Sequence, residues 1–226
     1  MSKETVDKEK RKAGLAGAAS AVLASKAPQN VLGYDKVHHG TSHAAAGSIK
    51  KTGLKKSKSG SGVAANDVAL GRAKASDVKG KVYTTKQRAT ADLHQPNVFG
   101  YRSGQTLTAR VPYRAKSRLA KDHVIENIAN GTDNLTRGNK AQQFAAKMGK
   151  KHLRIYKHSI SSRFIEGGKG YGGRKQFASK GNMRRYLSQA GGKARFAKGV
   201  AQAAGSVGSG LYAVAHAIKA RKEAKK

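Results

Sequence analysis

Cysteine and tryptophan are both absent from the 226 residues, and proline occurs only three times. Without a thiol the chain holds no disulfide framework, no Cys-ligated zinc, no iron–sulfur cluster and no Cys nucleophile. Acidic residues are scarce as well: 12 Asp and Glu stand against 46 Lys and Arg, a formal charge of +34. Large apolar residues are the third shortage. The 12 Leu, 7 Ile, 14 Val and 5 Phe make 38 of 226 positions, below the roughly 20% at which a highly charged chain is expected to be largely disordered alone. These shortages argue against a large, self-sufficient core. The expected fold is mainly α, with long irregular or extended basic segments, a small β-hairpin and a limited hydrophobic core, ordered within an assembly.

What is abundant is positive charge, far beyond the magnitude of about 2–8 that keeps a small domain soluble. Such self-repulsion favours association with a polyanion, with nucleic acid the first candidate and an anionic membrane surface the second. Of the 46 basic residues 31 are Lys, which suits point-charge contacts to phosphates more than the bidentate base reading of Arg. The charge is also uneven. Residues 134–226 hold 22 basic and 2 acidic groups (+20), and residues 1–133 hold 24 and 10 (+14).

Six segments follow from pattern. Residues 1–32 predict an N-terminal amphipathic helix: Leu15, Ala18, Ala19, Val22 and Leu23 form one stripe, and Pro28 is expected to end it. The basic start followed by Ala13–Ser25 has the outline of a signal peptide, but Glu4, Asp7 and Glu9 and the small residues argue against one. Residues 33–80 are rich in Gly, Ser, His and Lys and read as a flexible basic tether carrying Lys50, Lys51, Lys55, Lys56 and Lys58. Within it His38, His39 and His43 read as loop histidines without a metal. Residues 81–111 suggest a β-hairpin, with Val98–Arg102 turning across Ser103-Gly104 and with Leu107, Ala109 and Val111 on one face.

Residues 112–166 read as a small helical basic domain. One helix carries Ala120, Val124 and Ile128 and closes at Asn130-Gly131. A second opens near Asn134 or Thr136, carries Ala141, Phe144, Ala145 and Met148, and stops at Gly149. A third follows the spacing of Leu153, Tyr156, Ile160 and Phe164, although Leu153-Arg154-Ile155 also permits a strand. Residues 167–192 form a glycine hinge and a short helix near Met183–Gln189. Residues 193–226 hold the most regular element, a C-terminal Ala/Gly-rich helix with a basic tail. Its Phe196, Val200, Ala203, Val207, Leu211, Val214 and Ile218 make a heptad-like seam, and Gly199–Ile218 lacks any charged residue.

For function, the favoured reading is a non-enzymatic structural protein that contacts the phosphate backbone of DNA or RNA and other subunits of an assembly. It would be an internal or minor capsid component of a virion, such as a phage particle, located in the virion interior or a nucleic-acid-rich cytoplasmic compartment. The residues expected at phosphates are Lys50, Lys51, Lys55, Lys56, Lys58, Lys140, Lys147, Lys150, Lys151, Arg154, Lys157, Arg163, Lys169, Tyr171, Arg174, Lys175, Arg184 and Arg185. The seam residues Phe196, Val200, Val207, Leu211, Val214 and Ile218 are expected to meet a membrane or a partner helix. That supports a second reading, a membrane-active genome-delivery protein. A chromatin-like or ribosome-associated protein would share the same physics.

No cofactor, metal site or catalytic residue is expected under these readings. Gly168, Gly170 and Gly173 match G-x-G-x-x-G, but no hydrophobic strand precedes them and no acid follows at dinucleotide-site spacing. Asp122-His123 with Asn130-Gly131-Thr132-Asp133-Asn134 and Asn139 faintly resembles the metal-binding core of HNH endonucleases. That resemblance would make His123 the activator of water and Asp122 a metal ligand in a small nuclease.

Overall fold

In a computed structural model the described residues are 3–56, 79–92, 104–113, 123–133 and 137–224, with the short pieces 69–70, 74, 76, 97–98 and 101–102. Along the chain come α1 (Lys3–Val31), β1 (Tyr34–Ser42), α2 (His43–Thr52), β2 (Val82–Thr85), α3 (Arg88–Asp92), β3 (Asn97–Val98) and β4 (Tyr101–Arg102). Then follow β5 (Gly104–Pro112), α4 (His123–Asn130), α5 (Lys140–Lys150), β6 (Leu153–Tyr156), α6 (Lys180–Leu187) and α7 (Gly192–Glu223). Single 3-10 turns lie at Ser162–Phe164 and Lys175–Phe177. The chain divides into two compact units, residues 1–34 with 177–226, and residues 35–176.

In the first unit α1 and α7 pack antiparallel. Glu9 meets His216 and Lys219, Ser20 meets Ser206, and Asn30 meets Gln202, so partners descend along α7 as they ascend along α1. Pro28 lies inside α1, contrary to the expected stop; its missing N–H removes one helical bond, while Leu32 N still donates to Pro28 O at 3.0 Å.

The packed face is small and polar. Gly199, Gly205 and Gly210 sit where an added Cβ would come within 2.7 Å of Val31 N, 3.3 Å of the Leu23 side chain and 3.4 Å of Ser20 Oγ, respectively. Ser20 Oγ donates to Ser206 O at 2.8 Å, Ser206 Oγ donates to Ser20 O at 3.2 Å, and Asn30 Nδ2 donates to Gln202 Oε1 at 2.7 Å. Glycine costs a helix about 1 kcal/mol against Ala; at Gly199 the close approach of the α1 backbone explains it, whereas at Gly205 and Gly210 an added Cβ would meet only the Leu23 and Ser20 side chains.

The consequence is an inverted helix pair. Of the α1 stripe expected to be buried, Leu15 and Val22 are instead turned outward, at 75% and 53% exposure, while Leu23 is half-buried against Gly205. At the far end of the pair Glu9 is buried and touches Lys12, His216 and Lys219. The hydrogen bond from His216, with Lys12 and Lys219 nearby, holds its carboxyl down at about 2 against an opposing effect of burial. The short helix α6 closes the unit through Tyr186, whose ring packs on Gly33 and whose hydroxyl donates to Asn30 O at 2.6 Å.

The second unit is built on a four-stranded antiparallel sheet in the order β5-β1-β2-β6. β1 pairs with β2 at His38–Thr85, and β2 pairs with β6 from Val82–Tyr156 to Thr85–Leu153. Its core gathers Val37, Ala46, Leu54, Val82, Leu107, Ala109, Val111, Tyr156, Ile160 and Ile165. The alternation of Leu107, Ala109 and Val111 therefore lines the core as its period of two requires. Ser42 caps α2 by accepting from Ala45 N at 3.2 Å.

Several expectations are corrected here. Residues 34–52 form β1 and α2 where a tether was expected, because Val37, Ala46 and Leu54 find apolar partners far along the chain; Lys58 lies outside the described residues. His38 is a buried strand residue bonded through Nδ1 to Thr108 Oγ1 at 3.1 Å, and burial, with Lys36 and Arg88 nearby, lowers its pKa. His39 Nδ1 donates to Tyr83 O at 2.9 Å. The hairpin expected to join Val98–Arg102 to the strand of Leu107, Ala109 and Val111 is not the pairing found: among the described residues β3 pairs with β4, and β5 lies beside β1 in the larger sheet. The expected third helix is the strand β6, where Ile155 and Tyr156 are buried beside β2.

α5 starts one residue after its cap Asn139, whose Oδ1 accepts from Gln142 N at 3.0 Å, and it runs through Gly149. Its Phe144 and Met148 are exposed, because Gln143 on the other side meets Gly131 below α4. Gly131 has φ +73° and ends α4 as expected; Ala120 lies outside the described residues.

Two glycine-to-alanine changes should move stability in opposite directions. Gly14→Ala, with open space at its Cβ position, should stabilise α1 by about 0.5–1 kcal/mol through helix propensity. Gly199→Ala should destabilise by about 1–3 kcal/mol through overpacking against α1, read as opposite shifts in thermal or urea unfolding.

Candidate nucleic-acid interface

Two basic tracts more than a hundred positions apart become neighbours in the second unit. Leu54 and Ile160 form an antiparallel bridge with N–H donation in both directions, at 2.8 and 2.9 Å. Farther along, Lys169 N donates to Lys50 O at 2.8 Å. These bonds set the end of α2, with Lys50 and Lys51, and the following Lys55 and Lys56 beside the segment that carries Arg163, Lys169, Tyr171, Arg174 and Lys175. Lys51, Lys55, Lys56, Arg163, Lys169, Arg174 and Lys175 are all exposed, and Lys50 is half-buried with its chain alongside Gly167.

The glycine segment is not a hinge. Gly168 N donates to Ile165 O at 2.9 Å, Tyr171 N to Gly168 O at 3.1 Å, and Ser162 Oγ to Lys169 O at 3.1 Å. Gly167, Gly170 and Gly173 take φ values of 71°, 73° and 61°, the left-handed region open to glycine. Gly168 has a different reason to be glycine. A Cβ there would lie 2.3 Å from Ser162 O and 2.9 Å from Ile165 O.

The acid nearest this ridge is already engaged: Glu166 pairs with Arg110 at 2.6 Å. Arg110 also stands over the Tyr171 ring, 5.6 Å from its centroid, while Arg163 stands over Phe164 at 4.8 Å. Beside them Val111, Tyr156, Ile160 and Phe164, with Lys157, line a shallow apolar pocket. Such a surface offers mobile ammonium donors for phosphates and an aromatic face for a base or sugar. Arg110 carried no signal in the sequence beyond its place on the polar side of β5, yet it pairs with Glu166 and stands over Tyr171.

The other expected contact residues do not all join this ridge. Lys140, Lys147 and Lys150 belong to α5 and Lys151 caps its end; Lys140, Phe144, Lys147, Met148 and Lys151 share one exposed face at helical spacing. Lys150 reaches Glu126 at 3.0 Å. Arg154 turns back to the carbonyls of Leu153 and Lys151 at 2.6 and 3.2 Å, which occupies part of its fork. Arg184 and Arg185 are exposed on α6 in the first unit. Among the described residues no group of His, Asp and Glu could hold a metal ion, and Asp122 and Asn134 lie outside them.

No protein-family model, curated protein or solved structure matches the chain.

The pinned glycine segment is directly testable. Gly168→Ala should destabilise the second unit by about 1–3 kcal/mol, because its new methyl meets backbone oxygen that cannot swing away. Gly173→Ala meets no atom within 4 Å and should show only the smaller backbone cost of a left-handed alanine, about 1 kcal/mol. Paired urea titrations read the difference.

Proposed function

We propose that the protein is a non-enzymatic nucleic-acid-binding structural component that grips phosphate backbones through the ridge of Lys50, Lys51, Lys55, Lys56, Arg163, Lys169, Arg174 and Lys175. The observation that carries this reading is the pair of backbone contacts, Leu54 with Ile160 and Lys169 with Lys50, that aligns two separate basic tracts. Charge in excess of any need for solubility supports a polyanion as the partner that relieves the repulsion. The setting that suits it is an assembly that packages nucleic acid, such as the interior of a virus particle. There genome phosphates would compensate the +34.

Backbone binding carries a quantitative signature. Log affinity for duplex DNA should fall linearly with log salt concentration, at a slope of about −0.9 per phosphate neutralised. Replacing Lys51, Lys55, Lys169 and Lys175 together with Gln should reduce the slope by about 3–4, while replacing Lys8, Lys193, Lys219 and Lys222 with Gln leaves it in place. An unchanged slope in the first variant, or a flat salt dependence of the wild type, would overturn the proposal.

A further inference from the structure

The face of α7 turned away from α1 carries Val200, Val207, Leu211, Val214 and Ile218, each exposed by 48–68%. Helical spacing puts Lys193 in line with the start of this stripe and Arg221 and Lys222 in line with its end, and all three are exposed. The opposite face, packed on α1, holds glycines, Ser206, Gln202 and His216 with their polar bonds closed between the helices. Polar and small inside, apolar outside, is the reverse of a water-facing pair and matches helix packing in a medium as apolar as the side chains. Within the described residues, however, no helix is long and apolar enough to cross a membrane.

We infer that the α7 face docks on the surface of an anionic lipid bilayer, with the apolar stripe entering the acyl boundary and Lys193, Arg221 and Lys222 at the phosphate headgroups. Charge complementarity selects this occupant over a second copy of the chain. In α7 the only acid is Glu223, so pairing two seams would bring cationic ends together without the complementary acids that flank a coiled-coil seam. A lipid surface receives those same cations favourably and takes the stripe by burial. The docking face lies on the first unit, apart in sequence from the phosphate ridge of the second, and does not rest on the nucleic-acid reading.

The test uses the full chain and vesicles of phosphatidylcholine with or without phosphatidylglycerol. A +34 protein adheres to anionic vesicles by charge alone, so the decisive condition is about 1 M NaCl, where the Debye length is ~3 Å. Wild type should still co-sediment with the anionic vesicles there, while the variant with Val207→Ser, Leu211→Ser and Val214→Ser should bind about tenfold or more weakly, with unchanged helical circular dichroism and unchanged DNA affinity. Since the chain has no cysteine, Leu211→Cys accepts a single polarity-sensitive dye, which should shift to the blue on anionic vesicles even if the serine variant folds poorly. Equal retention of wild type and variant together with an unshifted dye would overturn the inference. So would equal binding to neutral and anionic vesicles at about 0.1 M NaCl, where the Debye length is ~10 Å. A wild-type dimer in solution that the serine variant abolishes would assign the face to a second copy instead.

Discussion

With 12 carboxylates against 46 cations, mutual repulsion is the constraint to which the rest of the structure answers. Among the described residues four acids join parts of the fold. Glu9 ties α1 to α7 through His216 and Lys219, Glu166 holds Arg110 beside Tyr171, Asp35 faces Lys86 at 3.9 Å, and Glu126 faces Lys150. Buried carboxylates such as Glu9 persist only with partners, since a lone buried charge is too costly. The large remainder of cations is left to the surface, and the folded chain thereby presents more positive charge than it can neutralise internally.

The second shortage, of large apolar residues, shapes each unit differently. The sheet unit concentrates what it has: Val37, Leu54, Val82, Leu107, Ile160 and Ile165 form one cluster. In the helical unit α1 and α7 are held by close approach and hydrogen bonds, with Leu15, Val22, Val207 and Leu211 facing outward, while Tyr34, Phe177 and Tyr186 are buried. One sequence thus carries a water-facing fold in its middle and an inverted helix pair in its two flanking segments. Under the two proposals above, the basic ridge on the former and the apolar face bracketed by cations on the latter would be two ways of meeting anionic partners.

Local pattern was legible where it was strong and where burial followed it. The period-two run through Leu107 and Val111, the long C-terminal helix and the Gly131 stop all stand in the structure. The sheet was only partly legible, because β1, one of its two inner strands, reads Tyr-Asp-Lys-Val-His-His-Gly-Thr-Ser, polar by composition. Its burial depends on His38 bonding to Thr108 and His39 to the Tyr83 carbonyl. The stripe of Leu15 and Val22 on α1, and Phe144 and Met148 on α5, misled for one reason. Periodicity identifies an apolar face but not whether this chain supplies its cover, and here small residues took the inner position.

The basic ridge was half legible. Each tract stood out as lysine-rich, but their adjacency rests on two apolar residues, Leu54 and Ile160, each alone in a polar stretch and paired through backbone bonds. The most direct test of the account is lysine acetylation footprinting on the full chain, with and without duplex DNA, read residue by residue. The account predicts that DNA protects Lys51, Lys55, Lys169 and Lys175 together while Lys193, Lys219 and Lys222 stay reactive. Protection spread evenly over all lysines, or centred on the α7 lysines, would contradict it.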